Sequence, residues 1–365
     1  MVDFALHTYI DVFYEGVNIT GDISADLISF SYTDNEGGKS DDIAISLKND
    51  HGKWTGAWLP IRGDKVSVTI VQRGRGSKKE LACGTFTVDE LETSGPPDVM
   101  SIKAISIPVE SDIFRLKRSQ AWEGVRLSEI AQNTASKGSI ALQFFVDDDP
   151  LYDRQDQRNE TDMAFLQRVC KSEGFSVKAT DGQLVIFSPE AQGEKEPVRT
   201  VARGVDDIKS YSFKAQNNDV FWKCTMSYVS PKTGKVVSHT STQAGMTSGK
   251  TKRLTGRASS LAEAERKTKA ALLEANRGEV TGSLSVVGDT LFVAGATIIV
   301  DGFNQFDGKY YIKKADHVVG NGYVTSLELS NTRTVIKNKP SVLTTKKAPP
   351  PKVTGPDGLE GILGK

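Results

Sequence analysis

The amino-acid sequence predicts a mainly β protein with an α+β insert: two related small β-barrel, tube-like domains flanking a central α+β domain. Three observations carry this. Apolar and polar residues alternate toward both ends of the chain, the signature of strands with one buried face. Helical spacing with clear start and stop signals occupies the middle. A set of glycines and strands near the N-terminus recurs near the C-terminus.

Residues 1–110 form the first predicted tube-like domain. Alternation is visible in Ile43-Ala44-Ile45-Ser46-Leu47, Val66-Ser67-Val68-Thr69-Ile70, Thr85-Phe86-Thr87-Val88 and Ser101-Ile102-Lys103-Ala104-Ile105. Turn clusters separate them, among them Asn35-Glu36-Gly37-Gly38 and Ser94-Gly95-Pro96-Pro97. Short strands at such spacing fit a small barrel or sandwich.

Residues 111–198 form the predicted central α+β domain. Leu127, Ile130, Ala131 and Thr134 recur at helical spacing before Gly138. A second helix has Thr161 as cap, Ala164, Phe165, Val169 and Cys170 as its apolar face, and Gly174 as its stop. Asp181-Gly182 between Phe175-Ser176-Val177 and Leu184-Val185-Ile186-Phe187 signals a type I′ hairpin. The polar stretch Ser188–Pro197 reads as a connector. Residues 199–335 form the second tube-like domain, with a helix over 260–277. That helix is Ala-rich, with Arg277 near its end and Gly278 as its stop. Gln243–Ser259, rich in Gly, Ser, Thr and Lys, reads as a mobile loop. Residues 336–365 read as a flexible Lys/Pro-rich tail containing Pro349-Pro350-Pro351.

The repeat compares two series. Gly63 opens a strand, Gly84-Thr85-Phe86-Thr87-Val88 another, and Gly95 turns into Val99–Ile105. Gly295 opens Ala296–Val300, Gly308-Lys309-Tyr310-Tyr311-Ile312 follows, and Asn321-Gly322 turns into Tyr323–Leu329. Unrelated hairpins share some of these features. The sharper reading is two related units in one chain, which lets a trimer imitate a six-fold ring.

Composition removes several classes. Lys+Arg and Asp+Glu are both 46 among 365 residues, a balance that argues against a protein built to grip nucleic acid. With 25% charged and 38% hydrophobic residues the chain reads as globular. No apolar run approaches the roughly 20 residues of a membrane span, so no membrane anchor is expected. The N-terminus lacks the pattern of an export signal. Cys83, Cys170 and Cys224 are widely separated, which excludes a disulfide framework or cysteine zinc site and suits a reducing compartment.

The candidate chemical motifs each lack a necessary part. Ala244-Gly245-Met246-Thr247-Ser248-Gly249-Lys250-Thr251 fits a relaxed phosphate-loop pattern, but lacks the buried strand before it and the apolar helix after it. His7, His51, His239 and His317 are dispersed. Asp147-Asp148-Asp149 lacks the EF-hand alternation and reads as a solvated turn. The basic cluster Arg73–Lys79 has no interleaved aromatics and reads as a hairpin tip. The pairs Asp41-Asp42 and Asp206-Asp207 show no sign of converging in a cleft. No catalytic, cofactor-binding or metal-binding residue is singled out; no enzyme activity and no cofactor are expected.

Three segments resemble a known family in the expected order. Leu27–Asp34, Asp41–Leu47 and Trp58-Leu59-Pro60-Ile61-Arg62-Gly63-Asp64 are similar to the opening of the phage late control D proteins, the baseplate hubs of contractile tails. Asn159–Arg168 followed by Glu173-Gly174-Phe175 resembles the helix of their central domain. Asp301-Gly302-Phe303 through Asp307-Gly308 and Tyr310, with His317 and Gly322-Tyr323-Val324-Thr325, resembles their C-terminal barrel. The resemblance covers about residues 5–332 and extends to the N-terminal part of VgrG, the type VI secretion spike.

The family resemblance implies a homotrimer forming a pseudo-six-fold ring between the hexameric tail tube and the trimeric spike, in a virion or phage-like particle assembled in the bacterial cytoplasm. It implies contacts with the tail tube protein, the spike and other baseplate proteins, and no tight nucleic-acid binding. The sequence has no long repetitive β-region, so the spike is expected to be a separate polypeptide. Two further readings are the hub of a type VI-like or bacteriocin-like injection system, and a carbohydrate-binding or hydrolytic β-protein.

Overall fold

A computed structural model describes residues 7–74, 77–106, 111–216, 218, 220–229, 234, 236–256, 258 and 260–331. The predicted tail at 336–365 lies outside the described residues. The N-terminal β region comprises β1 (His7–Tyr14), β2 (Val17–Asn18), α1 (Thr20–Ser24), β3 (Leu27–Asn35), β4 (Asp42–Lys48), β5 (Lys65–Gly74), β6 (Ser77–Ser94) and β7 (Val99–Ile105). The middle comprises α2 (Asp112–Arg115), β8 (Lys117–Arg126), α3 (Leu127–Lys137), β9 (Ala141–Phe145), β10 (Leu151–Thr161), α4 (Asp162–Glu173), β11 (Ser176–Thr180), β12 (Gln183–Phe187) and α5 (Pro189–Glu194). The C-terminal β region comprises β13 (Arg199–Ala202), β14 (Ile208–Ala215), β15 (Phe221–Val229), β16 (Val236–Thr242), β17 (Lys250–Leu254), α6 (Leu261–Asn276), β18 (Val280–Val287), β19 (Thr297–Asp301), β20 (Gly308–Gly320) and β21 (Gly322–Asn331).

Local chemistry explains the element ends. The Thr161 hydroxyl accepts from the Ala164 amide at 3.2 Å, satisfying a first-turn donor of α4. Gly174 then closes that helix at φ +83°, the left-handed conformation glycine adopts most cheaply. The Ser260 hydroxyl does the same for α6, accepting from Glu263 at 3.2 Å. Asp181 and Gly182 both have positive φ, 48° and 68°, as a type I′ turn requires.

The two β regions share one design. In chain order, the N-terminal strands β1, β3, β4, β5, β6 and β7 sit side by side as β3-β4-β7-β6-β5-β1. The C-terminal strands β13, β14, β18, β19, β20 and β21 sit as β14-β18-β21-β20-β19-β13. Each region therefore places its second, third, sixth, fifth, fourth and first strands in that order. The fifth strand is the longest in each, 18 residues in β6 and 13 in β20, and pairs with the fourth along one part and the sixth along another. Two differences stand out: β1 pairs antiparallel with β5, whereas β13 pairs parallel with β19, and the C-terminal unit inserts the separate sheet β16-β15-β17 and α6 between its second and third strands.

The structure corrects three expectations. Strand pairing does not close either region into a separate barrel; β20 pairs with β3, joining both regions in one open sheet. The presumed loop 243–259 contains β17, an edge strand parallel to β15. Its sequence, Lys-Thr-Lys-Arg-Leu, hides a strand because one neighbour supplies its backbone bonds. The presumed connector after Phe187 contains α5, which Ser188 caps through Ala191. In the acidic run, Asp147 and Asp148 are exposed bend residues, and Asp149 accepts from the Ser128 amide and hydroxyl at the start of α3.

The core of the N-terminal region extends into the other through Val319 and Tyr323, which pack with Phe30, Tyr32 and Phe86. Behind it His317 is fully buried. Its Nε2 lies 2.9 Å from the Phe292 carbonyl, which only accepts, so Nε2 carries the proton; Nδ1 accepts from the Tyr323 hydroxyl at 2.7 Å. A Cβ on Gly288 would stand 2.1 Å from the Tyr323 ring, so only glycine lets the chain pass this locked pair. Burial lowers the His317 pKa and keeps the imidazole neutral. Below about pH 6.5 the unfolded chain takes up a proton that this site refuses. Stability should therefore fall with pH by up to about 1.4 kcal/mol per unit until the lowered folded-state pKa is passed. Denaturant titrations from pH 8 to 5 should show a shallower fall in His317→Gln than in the wild type; parallel profiles would contradict this.

Candidate assembly surfaces and the junction that sets them

Where β3 ends, the chain delivers Asp34 and Asn35, with Glu36 just beyond, into the contact between all three regions. Lys178 of β11 forms ion pairs with Asp34 and, at 2.9 Å, with Asp41. The other Asp34 oxygen accepts from the Ala294 amide at 2.8 Å, in the C-terminal region. Asp41 accepts from the Asn35 amide at 2.8 Å and the Thr180 hydroxyl at 3.0 Å. Glu36 meets Arg277 at 2.7 Å, and its amide donates to the Lys313 carbonyl at 2.9 Å. Gly37 is needed here for space: a Cβ would lie 2.9 Å from the Val177 carbonyl oxygen.

The electrostatics of this junction are asymmetric. Burial opposes the Lys178 ammonium, yet the two carboxylates outweigh it and hold the pKa above the ordinary lysine value. Two carboxylates share one ammonium, and the Asp41 side chain is fully buried. Burial pushes the Asp41 pKa up, Lys178 pulls it down, and Asp34 adds to the rise. A second link joins helices: Arg266 of α6 meets the buried Glu173 of α4 at 2.6 Å.

The joined sheet has two unlike faces. One carries the apolar core. On the other, Ser210, Ser285, Ser326, Asp316, Thr33 and Asp42 are successive neighbours in one cross-strand row. Two charge pairs on this face are local, Lys314 with Asp316 at 2.7 Å and Lys103 with Glu90 at 2.8 Å. The face is hydroxyl-rich, spans both β regions, and is bounded by β14 at one side.

The structure does not bring the candidate chemical residues together. Asp41 is separated from its neighbour Asp42 by strand alternation: Asp41 enters the junction and Asp42 the polar face. Asp206 pairs with Arg199, which also pairs with Asp289. The phosphate-loop-like run leads into β17, not a helix. Cys83, Cys170 and Cys224 are free and buried. Among the described residues no His, Cys, Asp and Glu side chains group as metal ligands, and no helix is long and apolar enough to cross a membrane. Sequence reasoning missed Asp34, Lys178 and Arg277 as junction residues.

The described residues thus form a duplicated β unit joined through one shared sheet and locked by buried ion pairs. The chain belongs to the phage tail baseplate hub (GPD) family, whose sequence model matches residues 60–323. It is 32% identical over 199 residues to the "probable baseplate hub protein" of Escherichia phage P2, covering 52% of this chain and 49% of that protein. The chain thus spans about half the length of the curated relatives it matches. A tail protein from Neisseria meningitidis has the same fold, with TM-score 0.66 at 15% identity, covering 88% of this chain and 96% of the other. A type VI secretion component of E. coli is similar at TM-score 0.51 and 8% identity, over 89% and 76% of the two chains.

Replacing Lys178 by Met would leave two buried carboxylates without their cation. The expected loss is about 3–5 kcal/mol of unfolding free energy, measured by urea denaturation at pH 7. A loss below about 1 kcal/mol, the range of an exposed pair, would contradict the junction's role.

Proposed function

We propose that three copies of this chain form a pseudo-six-fold ring joining the hexameric tail tube to a trimeric spike, with a structural and non-catalytic role. The duplicated strand order carries this reading. Two like units per chain give three copies six similar positions, so one end of a three-fold ring matches a six-fold partner while the other keeps true three-fold symmetry. The open sheet supports it, because an open edge is a liability unless something covers it.

The polar face is assigned to the channel. Hydroxyl groups are readily hydrated, and a face that carries both signs of charge offers little net attraction to a passing polyanion, so passage without tight nucleic-acid binding fits this surface. The spike, the tube protein and other baseplate proteins are the proposed partners. The same geometry would equally serve the hub of a bacteriocin-like or type VI-like injection system.

Native mass spectrometry and sedimentation at micromolar concentration should give a trimer, and negative-stain images should show rings. A monodisperse monomer that forms no ring even with tube and spike partners present would overturn the proposal.

A further inference from the structure

The junction inside the chain is a template for a junction between chains. Within one chain the fifth strand of the C-terminal unit, β20, pairs antiparallel with the second strand of the N-terminal unit, β3. The counterparts are β6 and β14. β5 follows β6 only as far as Thr87, and Val88 still bonds Gly63 and Asp64. Beyond that point, among the described residues, β6 pairs only with β7, and β14 pairs only with β18. Each unit therefore offers one half of the same kind of contact.

The bulges fix the equivalence. β20 shifts register between Ile312 and Lys314, as β6 does between Val88 and Glu90. β3 shifts between Leu27 and Ser29, as β14 does between Ile208 and Ser210. Aligned on these bulges, Asp316 corresponds to Glu92 and Thr33 to Lys214. Asp316 faces Thr33 within the chain. We propose that β14 of one copy pairs antiparallel with residues 90–94 of β6 in the next, placing Glu92 opposite Lys214 on the channel face.

Charge and direction agree with this pairing. The free part of β6 carries Asp89, Glu90 and Glu92 and no base; β14 carries Lys209 and Lys214 and no acid. Among the described residues none of Asp89, Glu92, Lys209 and Lys214 has an ion-pair partner, whereas Glu90 pairs with Lys103. Like edges would repel and unlike edges attract, which disfavours two-fold contacts and selects the head-to-tail arrangement that closes a ring. The run β14-β18-β21-β20-β3-β4-β7-β6 is antiparallel at every step. Its eight strands leave the first and last pointing oppositely, so a rotated copy continues the alternation.

The inference rests on the ring reading, and charge-swap variants of the full chain separate the two. Glu92→Lys and Lys214→Glu alone should each raise the ring's dissociation constant about tenfold or more, because like charges then face each other at every interface. Glu92→Lys with Lys214→Glu should restore it to within about threefold of wild type. Singles that assemble like the wild type, or a double as weak as the singles, would overturn the pairing while leaving the ring. A wild-type monomer would remove both. Oxidation of Glu92→Cys/Lys214→Cys gives a second readout independent of affinity: covalent trimers are expected, and monomers alone would overturn the assignment.

Discussion

The structure depends on how one short segment at the end of β3 is held. Asp34 meets Lys178 of the middle region with one oxygen and the Ala294 amide with the other. Strand β3 at the same time pairs with β20. The three regions thus share one carboxylate, and the two β regions also share one strand contact. An ion pair buried at this depth is weak evidence of net stabilisation, but it tolerates little displacement because a separated partner is left desolvated. The junction is best understood as fixing the relative placement of the two β units.

That placement has a consequence for assembly. A ring with alternating intrachain and interchain contacts works only if the two kinds are similar in direction and register. The β20–β3 contact supplies the direction and register within the chain. The middle region, through Lys178 and Glu173, and α6, through Arg266, brace the contact from outside the sheet. Duplication alone would give two alike units; the brace sets the angle between them.

Much of the fold was legible in the sequence where the physics is local. Alternation located β4, β5 and β7, Thr161 and Gly174 bounded α4, and Asp181-Gly182 marked its hairpin. The polar ribbon of β8 and β10 was not foreseen, because its strands are held by a ladder and by surface ion pairs such as Arg154–Glu123. The contact of β20 with β3 joins residues nearly the whole chain apart, and such pairing leaves no local trace. Lys178 reads like any surface lysine until two carboxylates are seen around it. Glu92 and Lys214 acquire meaning only after the strand order is known.

The claim that one contact serves twice is tested most directly by amide hydrogen exchange across a dilution series. The outward-facing amides of residues 90–94 and of β14, those not bonded to β7 or β18, should exchange rapidly in the dissociated chain and become protected in the assembly to a degree comparable with β3 and β20. Persistent rapid exchange of both edges in an intact oligomer would contradict the account.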